Sequence, residues 1–173
     1  MEVIVISRSI EHPDSMHLRC AQGWLELGDH LEANEELERI SFPFRIHPDV
    51  LLLRYEVHAK AKKWDIAVEI ARTLVEVAPY EVAGWINQAF ALRRMSSGGP
   101  KAAWNALLPA AVKFPTNPII AYHLACYSCQ MNRLKEANAW LIMAGMLGDT
   151  NEFKLMALTE PDLEPLWLAI ANL

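Results

Sequence analysis

A helical pattern that recurs about every 34 residues constrains this sequence more than any other feature. The clearest copy is Tyr122–Gly148, in which small residues at helical spacing lie on both sides of a polar turn at Asn132-Arg133. The equivalent positions in the first helix of each copy are Ala21, Tyr55, Ala89 and Ala125. Those of the second helix are Ala33, Ala67, Ala103 and Ala137. Spacings of 34 to 36 residues predict four helix–turn–helix repeats.

The residue types at these positions resemble the tetratricopeptide repeat (TPR) family over about residues 14–151. The positions that carry the resemblance are Ala21, Gly28, Ala33 and Leu37 in the first repeat, Tyr55, Ala67 and Pro79 in the second, Trp85, Ala89, Ala103 and Pro115 in the third, and Ala125, Ala137, Leu141 and Ala144 in the fourth. The resemblance implies an all-α fold, a right-handed superhelical solenoid of antiparallel helix pairs with C-terminal capping helices. Pro109 predicts a kink or an early stop in the second helix of the third repeat, because proline removes a helical hydrogen bond.

The repeats divide the chain into an N-terminal extended segment at 1–12, four TPR-like helix pairs at 13–151 and C-terminal capping helices at 152–173. The β-branched run Val3–Ile6 favours an extended conformation. We expect it to dock on an apolar surface of its own chain or to pair with its copy in a symmetric dimer, and a disordered tail is the alternative. Phe153–Leu158 and Leu163–Leu173 predict short helices that cover the last apolar face, with Pro165 in the first turn of the second one.

Composition and net charge limit the classes of partner that we expect this protein to bind. The 173 residues carry a net charge of −5, which speaks against nucleic acid as a partner. No apolar run reaches the roughly 18 residues that cross a bilayer, and the first residues lack the basic start of a signal peptide, so we expect no membrane partner and a cytoplasmic location. Three cysteines without paired spacing fit a reducing compartment.

The residues capable of chemistry do not form a recognisable catalytic pattern. Cys126-Tyr127-Ser128-Cys129 lies in the middle of a predicted helix, one turn after His123, and no second pair of ligands accompanies it. Both cysteines are therefore interpreted as buried structural residues, and Cys20 likewise as core. We expect no metal, no cofactor and no enzymatic activity. The alternatives, a metal site or an enzyme using His123 and the cysteines, remain open.

The resemblance to the TPR family implies a scaffold whose concave surface, lined by the first helix of each repeat, holds a peptide or a partner protein. The residues at comparable inner-face positions are Leu18, Gln22, Leu52, Glu56, Ile86, Phe90, Arg93 and Tyr122. A single arginine beside a glutamate does not reproduce the clamp with which some family members grip a terminal carboxylate, and the mostly apolar set favours a hydrophobic segment. The alternative is a secretion-type or regulatory chaperone that shields a hydrophobic partner, either as a monomer or as a homodimer.

Overall fold

In a computed structural model, residues 9–171 are described, and they consist of helices and their connections. The chain divides into two compact units, residues 1–91 and 92–173. Within residues 9–171 there is no β-strand, so the expected all-α class is confirmed. The extended conformation expected for Val3–Ile6 concerns residues outside the described part.

The N-terminal unit contains two complete helix pairs. Its helices are α1 (Asp14–Glu26), α2 (His30–Glu38), α3 (Pro48–Lys60), α4 (Trp64–Val77) and α5 (Val82–Arg94), of which α5 ends in the C-terminal unit. In this unit α1 packs against α2 and α3 packs against α4. Its core includes the fully buried alanines Ala21 and Ala33 together with Leu37 and Val50. The small side chains let the paired helices approach closely, as the repeat pattern predicts.

The C-terminal unit is organised around one central helix. Its helices are α6 (Pro100–Lys113), α7 (Pro118–Gln130), α8 (Leu134–Leu147), α9 (Thr150–Thr159) and α10 (Trp167–Ala171), with a 3₁₀ segment at Pro161–Leu166. Helix α7 packs against α6, α8 and the 3₁₀ segment. All residues of α7 from Ile120 to Cys129 except His123 are buried. This agrees with the sequence of α7, which is apolar on all sides.

The turn inside three of the four helix pairs uses one backbone geometry. Gly28, Lys62 and Asn132 have φ values of 87°, 56° and 60°, in the left-handed region. The next residue donates its backbone N–H to the carbonyl five residues earlier, from Asp29 to Trp24 and, in the other two pairs, from Lys63 to His58 and from Arg133 to Ser128. This is the Schellman arrangement, which satisfies the last carbonyls of a helix.

The left-handed residue Lys62 leads to a prediction about stability. Any residue with a Cβ atom costs about 1 kcal/mol in this conformation, a cost that glycine avoids. We therefore expect Lys62→Gly to raise the free energy of unfolding by roughly 0.5–1 kcal/mol. Lys60→Gly, at the last residue of α3, should instead lower it, because glycine has a lower helix propensity than lysine. Urea denaturation of both variants would measure this, and equal signs for the two changes would contradict the turn assignment.

Three expectations from the sequence need correction. Helix α6 continues through Pro109 to Lys113, so an early stop is wrong; the exposed Asn105, whose carbonyl loses its partner, can be hydrated there. Cys20 is exposed rather than core, because consecutive helical residues point about 100° apart and the neighbouring Ala21 takes the buried position. Pro165 belongs to the 3₁₀ segment, and the last helix begins only at Trp167.

Candidate functional site

Four of the eight predicted inner-face residues line one open pocket in the N-terminal unit. Leu18 and Gln22 come from α1, and Leu52 and Glu56 come from α3, where each pair is one helical turn apart. Asp49 and Leu53 complete the lining. The pocket has a volume of about 340 Å³, which accommodates one or two side chains rather than a large ligand. The structure therefore brings these four predicted residues together, and their role in binding a partner stays a prediction.

The pocket combines an apolar floor with an acidic rim. Leu18 and Leu52 are partly buried and Leu53 is buried, whereas Glu56 is exposed and the side chain of Asp49 is 66% exposed. Gln22 Nε2 donates a hydrogen bond to Glu26 Oε1 at 3.2 Å, one helical turn further along α1. A partner segment with an apolar side chain followed by a cationic one would match the apolar floor and the acidic rim. The exposed carboxylates can attract the cationic side chain without losing their own hydration.

Ile86 and Phe90, the next two predicted residues, are partly buried on α5. The ring of Phe90 meets that of Trp64 edge-on, with centroids 6.1 Å apart. This edge-to-face contact orients Phe90 within the N-terminal unit. Neither residue lines the pocket between α1 and α3.

The last two predicted residues, Arg93 and Tyr122, are engaged inside the C-terminal unit. Arg93 Nη2 lies 2.6 Å from Asp162 Oδ2, so its charge is paired. Tyr122 is only 6% exposed, and its ring centroid lies 5.7 Å from that of Phe153. Burial, with smaller contributions from Cys126 and the Glu160 and Asp162 carboxylates, raises the pKa of Tyr122 far above its ordinary value. The capping elements thus contact two positions that the sequence assigned to an open groove.

The cysteine pair of α7 is buried, as predicted. Cys126 and Cys129 are 3% and 4% exposed, and burial raises the pKa of both thiols. A thiol that stays protonated is a poor nucleophile and a poor metal ligand, in contrast with a helix N-terminal redox cysteine. Burial, with smaller contributions from Arg93 and Arg94, lowers the pKa of His123 to about 4. Among residues 9–171, no group of three or more His, Cys, Asp or Glu side chains is arranged to hold a metal ion.

A second pocket, in the C-terminal unit, was not predicted from the sequence. It has a volume of about 300 Å³, and its lining residues are almost all apolar, among them Leu108, Val112, Trp140, Met143 and Leu147. Val112 is 82% exposed and Met143 is 45% exposed. These residues belong to α6 and α8, the second helices of their repeats. The predicted partner surface consisted of first helices only. The spacing of Leu108 and Val112, one turn apart on α6, was the signal available in the sequence.

Comparisons with known proteins identify the fold. No protein-family model and no curated protein sequence matches this chain. Among solved structures, it is similar to a thermophilic TPR protein of Thermus thermophilus, with 20% identity, a TM-score of 0.69, and coverage of 91% of this chain and 82% of that one. It is also similar to MamA, residues 41 to the end, from Desulfovibrio magneticus RS-1, with 14% identity, a TM-score of 0.70, and coverage of 95% and 96%. The chain therefore has a TPR-like repeat fold, which confirms the prediction from the repeat spacing. The helices of residues 9–171 include none with the length and apolar character of a membrane-spanning segment.

Proposed function

We propose that this protein is a non-catalytic scaffold that binds a partner protein or peptide through the pocket between α1 and α3. The TPR-like fold supports the general class, a protein-interaction module. The pocket, with Leu18, Leu52 and Leu53 beneath Asp49 and Glu56, supports the finer assignment. An acidic rim repels phosphate groups, which argues for a protein partner rather than nucleic acid.

The partner segment that fits this pocket carries an apolar side chain next to a lysine or arginine. The apolar side chain would fill the space above Leu52, and the cation would lie between Asp49 and Glu56. Burying one large apolar side chain is worth about 1.5–3 kcal/mol, so the floor would supply most of the affinity. The exposed carboxylates would contribute more to the choice of partner and to the association rate than to affinity.

The alternative is a chaperone that shields a hydrophobic partner, as a monomer or as a homodimer. The apolar pocket of the C-terminal unit favours this function, because Val112 and Met143 expose apolar surface there. The two functions predict a different dependence of partner binding on salt concentration. Partner capture by the acidic-rimmed pocket should weaken with salt, whereas shielding of an apolar segment by the second pocket should not.

Substitution of Leu52 tests the proposed function. Peptides selected from a random display library on the full chain should be enriched in an apolar residue beside lysine or arginine. We expect Leu52→Asp to reduce their affinity by about 100-fold or more, because a carboxylate would replace the apolar floor. Fluorescence anisotropy with a labelled selected peptide would measure the loss.

The matched control is Leu155→Asp, the same change at a 67% exposed leucine in the interior of α9. It should leave the peptide affinity unchanged. Glu56→Lys should weaken peptides that contain the cation and spare those that lack it. The assignment of this pocket would be overturned if Leu52→Asp and Leu155→Asp changed the peptide affinity equally. It would also be overturned if the selected peptides lacked an apolar–cationic pair. Selected peptides that lose binding on Val112→Asp instead would support the chaperone alternative.

A further inference from the structure

Residues 160–166 of the chain lie against α7 and are held by a carboxylate. Asp162 Oδ1 accepts hydrogen bonds from Arg93 Nη2 at 2.7 Å and from Gln130 Nε2 at 2.6 Å, and its Oδ2 lies 2.6 Å from Arg93 Nη2. The side chains of Arg93 and Asp162 are 24% and 14% exposed. Charge-assisted bonds of this length in a partly buried position are among the stronger polar contacts of a protein.

An apolar side chain follows the carboxylate directly. Leu163 is fully buried and Leu166 is 6% exposed, while Glu164 between them is exposed. The segment thus brings an acidic group and a buried leucine to a surface made mainly by α7, with further contacts to α8, α9 and α10. That surface contains Tyr122, Cys126 and Gln130, which share one face of α7 because they are four residues apart. Arg93 and Tyr122 are two of the positions expected to contact a partner.

The segment has little secondary structure of its own. It is a 3₁₀ turn that begins with Pro161 and contains Pro165, so two backbone donors are missing. The neighbouring α10 is anchored separately, because Trp167 Nε1 donates to the Ala157 carbonyl of α9 at 2.9 Å. Residues 160–166 can therefore leave α7 while α9 and α10 stay packed together, which makes local opening less costly than global unfolding.

We infer that this face of α7, together with Arg93, is a binding site for a peptide segment with an acidic side chain followed by leucine. Residues 160–166 fill the site as an internal ligand until a partner segment displaces them. The inference rests on the proposed function, since it assumes that the protein binds partners. It adds a second site with the opposite charge preference to that of the pocket between α1 and α3. The chemistry of the occupant, Asp162-Leu163, indicates the chemistry of the competitor.

Cysteine labelling in the full chain measures opening of this segment. Cys126 and Cys129 lie beneath the segment, close enough for the Asp162 carboxylate to affect both thiols, while Cys20 is exposed and serves as an internal reference. We expect Asp162→Asn to accelerate labelling of Cys126 and Cys129 by about tenfold or more, because a charge-assisted hydrogen bond is lost. Gln130→Ala, which removes one donor and keeps the Asp162 charge near the thiols, must accelerate labelling as well, since loss of that charge alone would raise the thiolate fraction. Glu164→Gln, the same type of change at an exposed neighbour, should leave their rates unchanged.

A peptide probe then tests the site itself. The labelled peptide TEPDLEPLW, which has the sequence of residues 159–167, should bind the Asp162→Asn protein and slow the labelling of its buried cysteines. It should bind the wild-type protein at least tenfold more weakly, because the internal segment competes. The same peptide with asparagine in place of aspartate should not bind the variant.

Equal labelling rates for Asp162→Asn and Glu164→Gln, or failure of the peptide to bind Asp162→Asn, would overturn the inference. If circular dichroism shows that Asp162→Asn is unfolded, Gln130→Ala, which removes one of the two donors, must show faster labelling for the inference to stand. Leu52→Asp separates this site from the pocket between α1 and α3. It should abolish binding of apolar–cationic peptides and leave binding of TEPDLEPLW to Asp162→Asn unaffected, so each proposal can fail alone.

Discussion

Lowering the pH from 7 to 4 is expected to reduce the free energy of unfolding by roughly 3 kcal/mol through His123. In the folded state, burial beside Arg93 and Arg94 holds the pKa of this imidazole at about 4, whereas the unfolded chain takes up the proton near pH 6.5. Between these two values the unfolded state binds more protons, so stability falls as the pH falls. Below about pH 4 both states are protonated and this loss levels off.

Urea denaturation at pH 7, 5.5 and 4 would measure the effect of His123. We expect His123→Gln to remove most of the slope between pH 6.5 and 4. A smaller slope should persist through His58, because burial, with Lys63 and Arg54, also lowers the pKa of His58. Unchanged pH dependence in His123→Gln would contradict this prediction.

Enlarging the buried alanines of the second helices is expected to destabilise the protein by roughly 1–3 kcal/mol. Ala67 in α4 and Ala137 in α8 are both 0% exposed. Each lies in a helix that packs tightly on its partner, α3 for Ala67 and α7 for Ala137. Three additional heavy atoms at either position would force the paired helices apart or push neighbours into unfavourable rotamers.

The C-terminal unit offers a matched control for this change. Ala139, two residues after Ala137 on α8, is exposed, so Ala139→Leu adds the same atoms toward solvent. Thermal or urea unfolding should show a loss for Ala67→Leu and Ala137→Leu and little change for Ala139→Leu. A similar stability for Ala137→Leu and Ala139→Leu would mean that the repeat alanines do not set the helix spacing.

Four of the residues that line the pocket between α1 and α3 could be placed together from the sequence, because their positions follow from helical spacing and the repeat length. Leu18 with Gln22 and Leu52 with Glu56 are each one helical turn apart, and the 34-residue step places the two pairs at equivalent positions of neighbouring repeats. The apolar pocket of the C-terminal unit was missed for a related reason. It involves the second helices, for which the family resemblance implied packing and no partner.

Contacts over long sequence separations could not be predicted in this way. Asp14 is buried and accepts hydrogen bonds from the Ser41 backbone N–H and hydroxyl, each at 2.7 Å, across 27 residues. The backbone bond, more than the hydroxyl bond, lowers the pKa of the Asp14 carboxyl. Nothing in the repeat pattern marks Asp14, because its partner lies in an irregular turn after α2 rather than at an equivalent repeat position.

The amino-acid sequence by itself determined the helix pairs, their order and the faces that carry the small residues, because side chains three or four apart meet on one helix face whatever surrounds them. The tertiary structure decided which of those faces remain open. Leu52 and Glu56 stay accessible in the N-terminal unit, whereas the equivalent face of α7 is covered by residues 160–166. Such coverage depends on where a non-repeating segment folds back, with Asp162 reaching Arg93 across 69 residues. The contact between Asp162 and Arg93 is favourable only after the helices have brought the two residues together, so no local sequence pattern predicts it.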